Sequence, residues 1–96
     1  MATIFHYGPY TVVSGSGLPP GAEDTWWFGA WPWYAFVVGV TAHPIYKVGA
    51  GTEGHLAVTR VSAQVQPSGD RYIWATVKNI GKDPTNYAWW LGGIQP

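Results

Sequence analysis

The chain predicts an all-β fold, an antiparallel two-sheet sandwich of six or seven short strands. Three observations carry this expectation. Thirteen Gly and eight Pro interrupt every window in which a 3.6-residue apolar period could run for three turns. Between those breaks lie short runs rich in Val, Ile, Thr, Tyr and Trp, some with a two-residue alternation. Finally, 96 residues with no 20–50-residue repeat and no interior linker make one domain, 1–96, and such a string of strands closes most economically as two packed sheets.

The elements follow in chain order. Thr3–Tyr7 and Tyr10–Ser14 are β-rich runs divided by Gly8-Pro9, which predicts a bend or turn between them. Ser14–Gly21, rich in Gly, Pro and Ser, is a loop, and Thr25–Phe28 is a short aromatic strand stopped by Gly29. Trp33–Ala42 is the most apolar segment. Its alternating sets, Trp33, Ala35, Val37, Gly39 and Tyr34, Phe36, Val38, Val40, are apolar on both sides, which predicts a central strand covered on both faces and limited by Pro44. In Leu56–Gln66, Thr59, Val61, Ala63 and Val65 alternate with Arg60, Ser62, Gln64 and Gln66, as in a strand with one wet face. Pro67–Asp70 makes a tight turn, and Arg71–Asn79 returns with Ile73, Ala75 and Val77 on one side and Tyr72, Trp74, Thr76 and Lys78 on the other. The two runs form a hairpin. Ile80–Thr85 is a polar loop, and Asn86–Leu91 supplies the last strand, ending at Gly92-Gly93.

Charge and cysteine content exclude several functions. Lys47, Arg60, Arg71, Lys78 and Lys82 are scattered among five acids, for a formal net charge of zero, so no basic stripe exists to displace counterions from nucleic acid. So little charge gives weak colloidal repulsion and favours self-association. Without cysteine there is no disulfide framework, thiolate metal site or cysteine nucleophile. The longest apolar stretch, Trp31 to Val40, is far short of the roughly 20 residues of a membrane span. Met1–His6 lacks the basic start and apolar run of a secretory signal, which leaves the compartment open.

At Val58–Leu91 the order strand, Pro-Ser-Gly-Asp turn, strand, loop, strand carries Thr76-Val77-Lys78-Asn79-Ile80-Gly81, and Leu18-Pro19-Pro20-Gly21 precedes the aromatic strand. These segments, about a third of the chain, resemble bacterial immunoglobulin-like domains of the cell-adhesion-related (CARDB) type. The chain departs from that group in its Trp density and in having Leu-Pro-Pro-Gly before the Asn-x-Gly strand end. The resemblance implies an immunoglobulin-like topology, an extracytoplasmic adhesion or enzyme-associated role, and no catalytic residues.

The chemical motifs are weak. Gly49-Ala-Gly51-Thr-Glu-Gly54 spells GxGxxG, but a strand-like segment follows where a dinucleotide site needs a helix, so a loop is the expectation. His6, His43 and His55 have no spacing that puts two imidazoles on one face of an element, so no metal is expected. Glu23 and Asp24, the only adjacent acids, point opposite ways in an extended chain and cannot face each other across a glycosidic bond. Gly15-Ser16-Gly17 lacks the nucleophile frame. The expectation is a protein that is not an enzyme and needs no cofactor.

The aromatic residues carry the functional signal. Seven Trp, six Tyr and three Phe, each with roughly 150–250 Å² to bury, exceed what one small core absorbs, because a chain this short buries only about 60–65% of its unfolded surface. Some rings must therefore meet solvent, and exposed aromatic clusters mark ligand grooves or interfaces. Trp26, Trp27, Trp31, Trp33 and Tyr34 crowd one segment, Trp89 and Trp90 form a second pair, and Tyr72 and Trp74 share an outer face with Arg60 and Gln64 as cross-strand neighbours. Adjacent rings on a strand point to opposite faces, so one of each pair faces outward. These nine rings are the expected ligand-binding residues of a lectin-like module that takes carbohydrate or another surface ligand against flat apolar rings. The alternative is a homo-oligomeric structural or adhesion subunit whose aromatics seal the interface between copies.

Overall fold

The computed structural model describes residues 3–13, 17–32, 34–45 and 53–95. Six strands form: β1 (Thr3–Val12), β2 (Glu23–Trp31), β3 (Phe36–Pro44), β4 (Leu56–Val65), β5 (Arg71–Asn79) and β6 (Tyr87–Gln95). They make two three-stranded antiparallel sheets, in the orders β1-β6-β3 and β2-β5-β4. The result is an all-β two-sheet sandwich. The chain changes sheet at every connection except the β4–β5 hairpin, whose turn is closed by Gln66 N–H donating to Asp70 O and Gly69 N–H to Gln66 O.

The two central strands build the core. On β5, Ile73, Ala75 and Val77 are buried; on β6, Tyr87, Trp89 and Leu91 are buried, and Phe28, Trp31, Leu18 and Ala35 complete the cluster. Phe28 meets Trp89 edge to face at 5.6 Å, and Tyr87 meets Trp89 in the same way at 5.7 Å, the arrangement favoured by ring quadrupoles. The indole N–H of Trp89, fully buried among these rings, has no hydrogen-bond acceptor among the described residues.

All four outer strands lose register once against their central partner. The shifts fall between Tyr7 and Tyr10, Phe28 and Trp31, Val37 and Gly39, and Val58 and Arg60. In each case the outer strand holds one residue more than the segment it faces, which is a β-bulge. The bulge at Gly8-Pro9 keeps Tyr7 and Tyr10 on the core side, where Tyr7 meets Trp31 and Tyr10 meets Phe28. Gly8 is required there: its φ is +129°, and a Cβ would lie 2.7 Å from Trp89 O. The predicted bend at Gly8-Pro9 is thus a bulge inside one continuous strand.

Two further expectations are corrected. The apolar segment around Val37 forms an edge strand, β3, and not a central one; Val38, at its bulge, is 68% exposed and Phe36 is 40% exposed. Its two-sided apolar pattern reflects an open flank of the sandwich. The last strand does not stop at Leu91 but runs to Gln95, because the missing side chain of Gly93 admits the Phe5 ring and leaves room for Phe36 O, which a Cβ would approach to 2.6 Å.

Asn79 locks one end of the sandwich. Fully buried, its Nδ2 donates to Leu18 O and Asp83 O, each at 2.8 Å, while its Oδ1 accepts from Gly81 N–H at 2.9 Å. One side chain thereby ties the connection before β2 to the loop after β5, beside the Leu18–Thr85 bridge.

Candidate functional site

The outer face of the β2-β5-β4 sheet gathers aromatic and polar side chains. Because Ile73, Ala75 and Val77 turn inward, the alternation of β5 sends Tyr72, Trp74, Thr76 and Lys78 outward. Register then assigns their neighbours. Trp27 pairs with Trp74 and Thr25 with Thr76 on the β2 side; Arg60 pairs with Thr76, Ser62 with Trp74 and Gln64 with Tyr72 on the β4 side. Three rings, Trp27, Tyr72 and Trp74, therefore stand on one solvent-facing surface, with Trp27 56% and Trp74 39% exposed.

This surface is held in place by its own contacts. Trp27 and Tyr72 meet at 5.7 Å with planes inclined by 61°. The Trp74 indole N–H donates to Gln64 Oε1 at 3.1 Å, which fixes the ring's orientation across the β5–β4 pair. Thr25 and Thr76 share a hydroxyl hydrogen bond of 2.8 Å. Beside Trp74 lies a depression of about 250 Å³ lined by Thr25, Arg60, Ser62 and Trp74. Rings fixed by strand and hydrogen bond lose little further freedom when a ligand settles on them.

Comparisons are silent on this surface. A scan against protein-family models, a search of curated proteins and a search of solved structures each returned no match. The chemistry of the face is therefore read from its residues alone. It offers apolar planes, the hydroxyls of Thr25, Ser62 and Thr76, an amide and a guanidinium, all on one side of a sheet whose other side is the core.

The remaining expected residues fall elsewhere. Trp89 is fully buried between the sheets and Trp31 is buried beside Tyr7, so neither can meet a ligand. The Trp31 expectation fails because the bulge at Gly29-Ala30 reverses the alternation: without it Trp31 would lie on the same face as Trp27. Trp26 faces the core side at the flank of the sandwich, where its indole N–H donates to Tyr87 Oη at 3.1 Å, and the Tyr87 hydroxyl donates to Asp24 Oδ2 at 2.7 Å. Burial, first, and the adjacent Asp24 carboxylate, second, hold the Tyr87 phenol well above its ordinary range, against a smaller opposing effect of the Trp26 N–H that donates to it. Trp90 is part-exposed on the outer face of the other sheet, opposite Thr41. Tyr34 is exposed in the turn before β3. Trp33 lies outside the described residues, as do Gly49 to Thr52 of the GxGxxG sequence.

Sequence reasoning missed Thr25 and Ser62, whose places beside Trp74 depend on strand pairing across β2 and on the Thr59 bulge in β4. Among the described residues, no three His, Asp or Glu side chains come together as metal ligands. A larger cavity of about 410 Å³ lies between the ends of β3 and β4, with mostly aliphatic walls and the imidazoles of His43 and His55. Among the described residues that line it there is no Phe, Tyr or Trp. No helix among the described residues is long and apolar enough to cross a membrane.

Proposed function

We propose that this domain is a non-catalytic module that binds carbohydrate on the outer face of the β2-β5-β4 sheet. The observation that supports this reading is the cluster of Trp27, Tyr72 and Trp74 on the solvent side of a rigid sheet, with Gln64, Arg60, Thr25 and Ser62 at its rim. Pyranose rings present an apolar C–H face to an aromatic plane and hydroxyls to the surrounding polar groups, so this combination suits them. The inclination of Trp27 against Tyr72 makes a bent surface, which suits a single twisted glycan chain better than a flat crystalline one.

Tryptophan fluorescence titrated with soluble oligosaccharides tests the reading. Saccharide binding that Trp74→Ala and Trp27→Ala each weaken by about tenfold or more, with circular dichroism unchanged, is the expected result, as stacking on one ring is commonly worth that much. Binding that survives both substitutions, or no response to any saccharide at millimolar concentration, refutes it.

One observation favours a second reading, self-assembly through the flank between β3 and β4. Val61 and Val65 face the core side of their sheet, yet 51% and 52% of their surface is exposed, and Val38 is open on the opposite strand. The opposing sheet does not reach over them, and a second copy of the chain would cover this apolar surface. Sedimentation at micromolar concentration decides the matter: a dimer that Val61→Lys disperses supports it, and a monomer retires it.

A further inference from the structure

The sugar-binding reading leaves the charge on that face unexplained. Across the whole chain acids and bases balance at five each, but the outer face of the β2-β5-β4 sheet carries Arg60 and Lys78 against the single carboxylate of Glu23. Glu23 sits opposite Lys78 in the register, two residues along the sheet from the position that faces Arg60. Arg60 is exposed, and it forms no ion pair among the described residues. Its side chain lines the depression beside Trp74, together with the hydroxyl groups of Thr25 and Ser62 and no acid.

A guanidinium and an aromatic plane that line one depression make a specific combination. Its planar fork of N–H donors matches the two oxygens of a carboxylate, a match that an ammonium or an amide does not reproduce. A pyranose stacked on Trp74 projects its C5 substituent past the ring edge. In a neutral hexose this substituent is a hydroxymethyl group; in a uronate it is a carboxylate. The 250 Å³ of space beside Trp74 accommodates one such ring.

We propose that the depression selects an acidic sugar, a uronate residue whose ring lies on Trp74 and whose carboxylate is taken by Arg60. Thr25 and Ser62 contribute hydroxyls that meet the ring oxygens at the floor of the depression. The inference rests on the carbohydrate reading above and adds the class of sugar to it.

The test compares soluble oligogalacturonides with the same oligomers fully methyl-esterified, and with a sulfated neutral oligosaccharide, on the intact chain and on Arg60→Gln. Arg60 is exposed, so its replacement leaves the core untouched, and circular dichroism verifies this. The acid is expected to bind about tenfold more tightly than the ester at low salt, and Arg60→Gln to remove that advantage by weakening the acid far more than the ester, since a charge-assisted hydrogen-bond pair exceeds a neutral one by about this factor. Equal binding of acid and ester, or an acid preference that survives Arg60→Gln, overturns the uronate assignment and leaves the carbohydrate reading standing. A preference for the sulfated oligosaccharide over the uronate also overturns it, in favour of a tetrahedral anion. Failure of all three ligands, together with failure of neutral saccharides, removes the carbohydrate reading and this inference with it.

Discussion

Truncating Asn79 to alanine should weaken the fold by about 3 kcal/mol, and the structure says where that cost arises. The amide makes three hydrogen bonds in a fully buried position. Leu18 O also accepts from Thr85 N–H, and Gly81 N–H also donates to His55 O, so neither group is orphaned when the amide is lost. The two lost N–H···O bonds then cost about 1 kcal/mol each, and the emptied space and the weakened hold on Gly81 add roughly another 1. For a small domain with some 5–15 kcal/mol in total this is a large fraction. Urea denaturation followed by fluorescence measures it: with a slope near about 1–1.5 kcal/mol per molar for a chain this short, the midpoint should fall by about 2–3 M. Asn79→Asp separates hydrogen bonding from packing. The carboxylate keeps the shape and the acceptor for Gly81 but turns an anionic oxygen toward two carbonyls, so it should be at least as damaging at neutral pH and should recover in part in acid, where protonation restores one donor. A loss below about 1 kcal/mol for Asn79→Ala, or an Asn79→Asp variant as stable as the parent at neutral pH, refutes the claim that this amide ties the two connections together.

Two other perturbations test the packing. Gly93→Ala places a methyl group against the Phe5 ring and Phe36 O in a buried position, so it should cost about 1–3 kcal/mol and lower the melting temperature by at least about 5 °C; an unchanged melting curve would show that the close approach is not needed. The raised pKa of Tyr87 predicts a loss of stability in alkali: above pH 10 the unfolded chain releases this proton while the folded chain retains it, so stability present below pH 10 declines as pH rises, by at most about 1.4 kcal/mol per unit for one proton. Tyr87→Phe should flatten the alkaline limb of a urea-midpoint profile, and a profile equally steep in both proteins contradicts the assignment.

Much of this fold is legible in the sequence where the two-residue period runs unbroken. The β4–β5 hairpin, its turn at Pro67–Asp70, and the outward set of Tyr72 and Trp74 with Gln64 and Arg60 across from them all follow from alternation and turn chemistry, and the structure places them so. For the Trp26–Trp27 pair alternation requires that one ring face outward, and only the pairing of Trp26 with Ala75 makes it Trp27. Legibility ends at the bulges. Trp31 reads as a companion of Trp27 until Gly29 and Ala30 together face Tyr72, and nothing local announces that two residues will share one partner. Sheet order was likewise hidden: Val37, Val38 and Val40 have the composition of a covered strand, and only the pairing of β1 with β6 reveals that β3 is left at an edge. Asn79 gives no sign in sequence that its amide reaches Leu18, 61 residues away.

The four bulges have a consequence for how this domain tolerates changes in length. Each adds one residue to an outer strand and then restores the phase, so a chain lacking Thr59 or Val38 would run a regular ladder with every other side chain on its present face. The same deletion within β5, at Ala75 for example, would exchange Trp74 with Ile73 and turn the interior out. β5 and β6 thus act as the measuring rods of the molecule, and its periphery is where single residues can come and go.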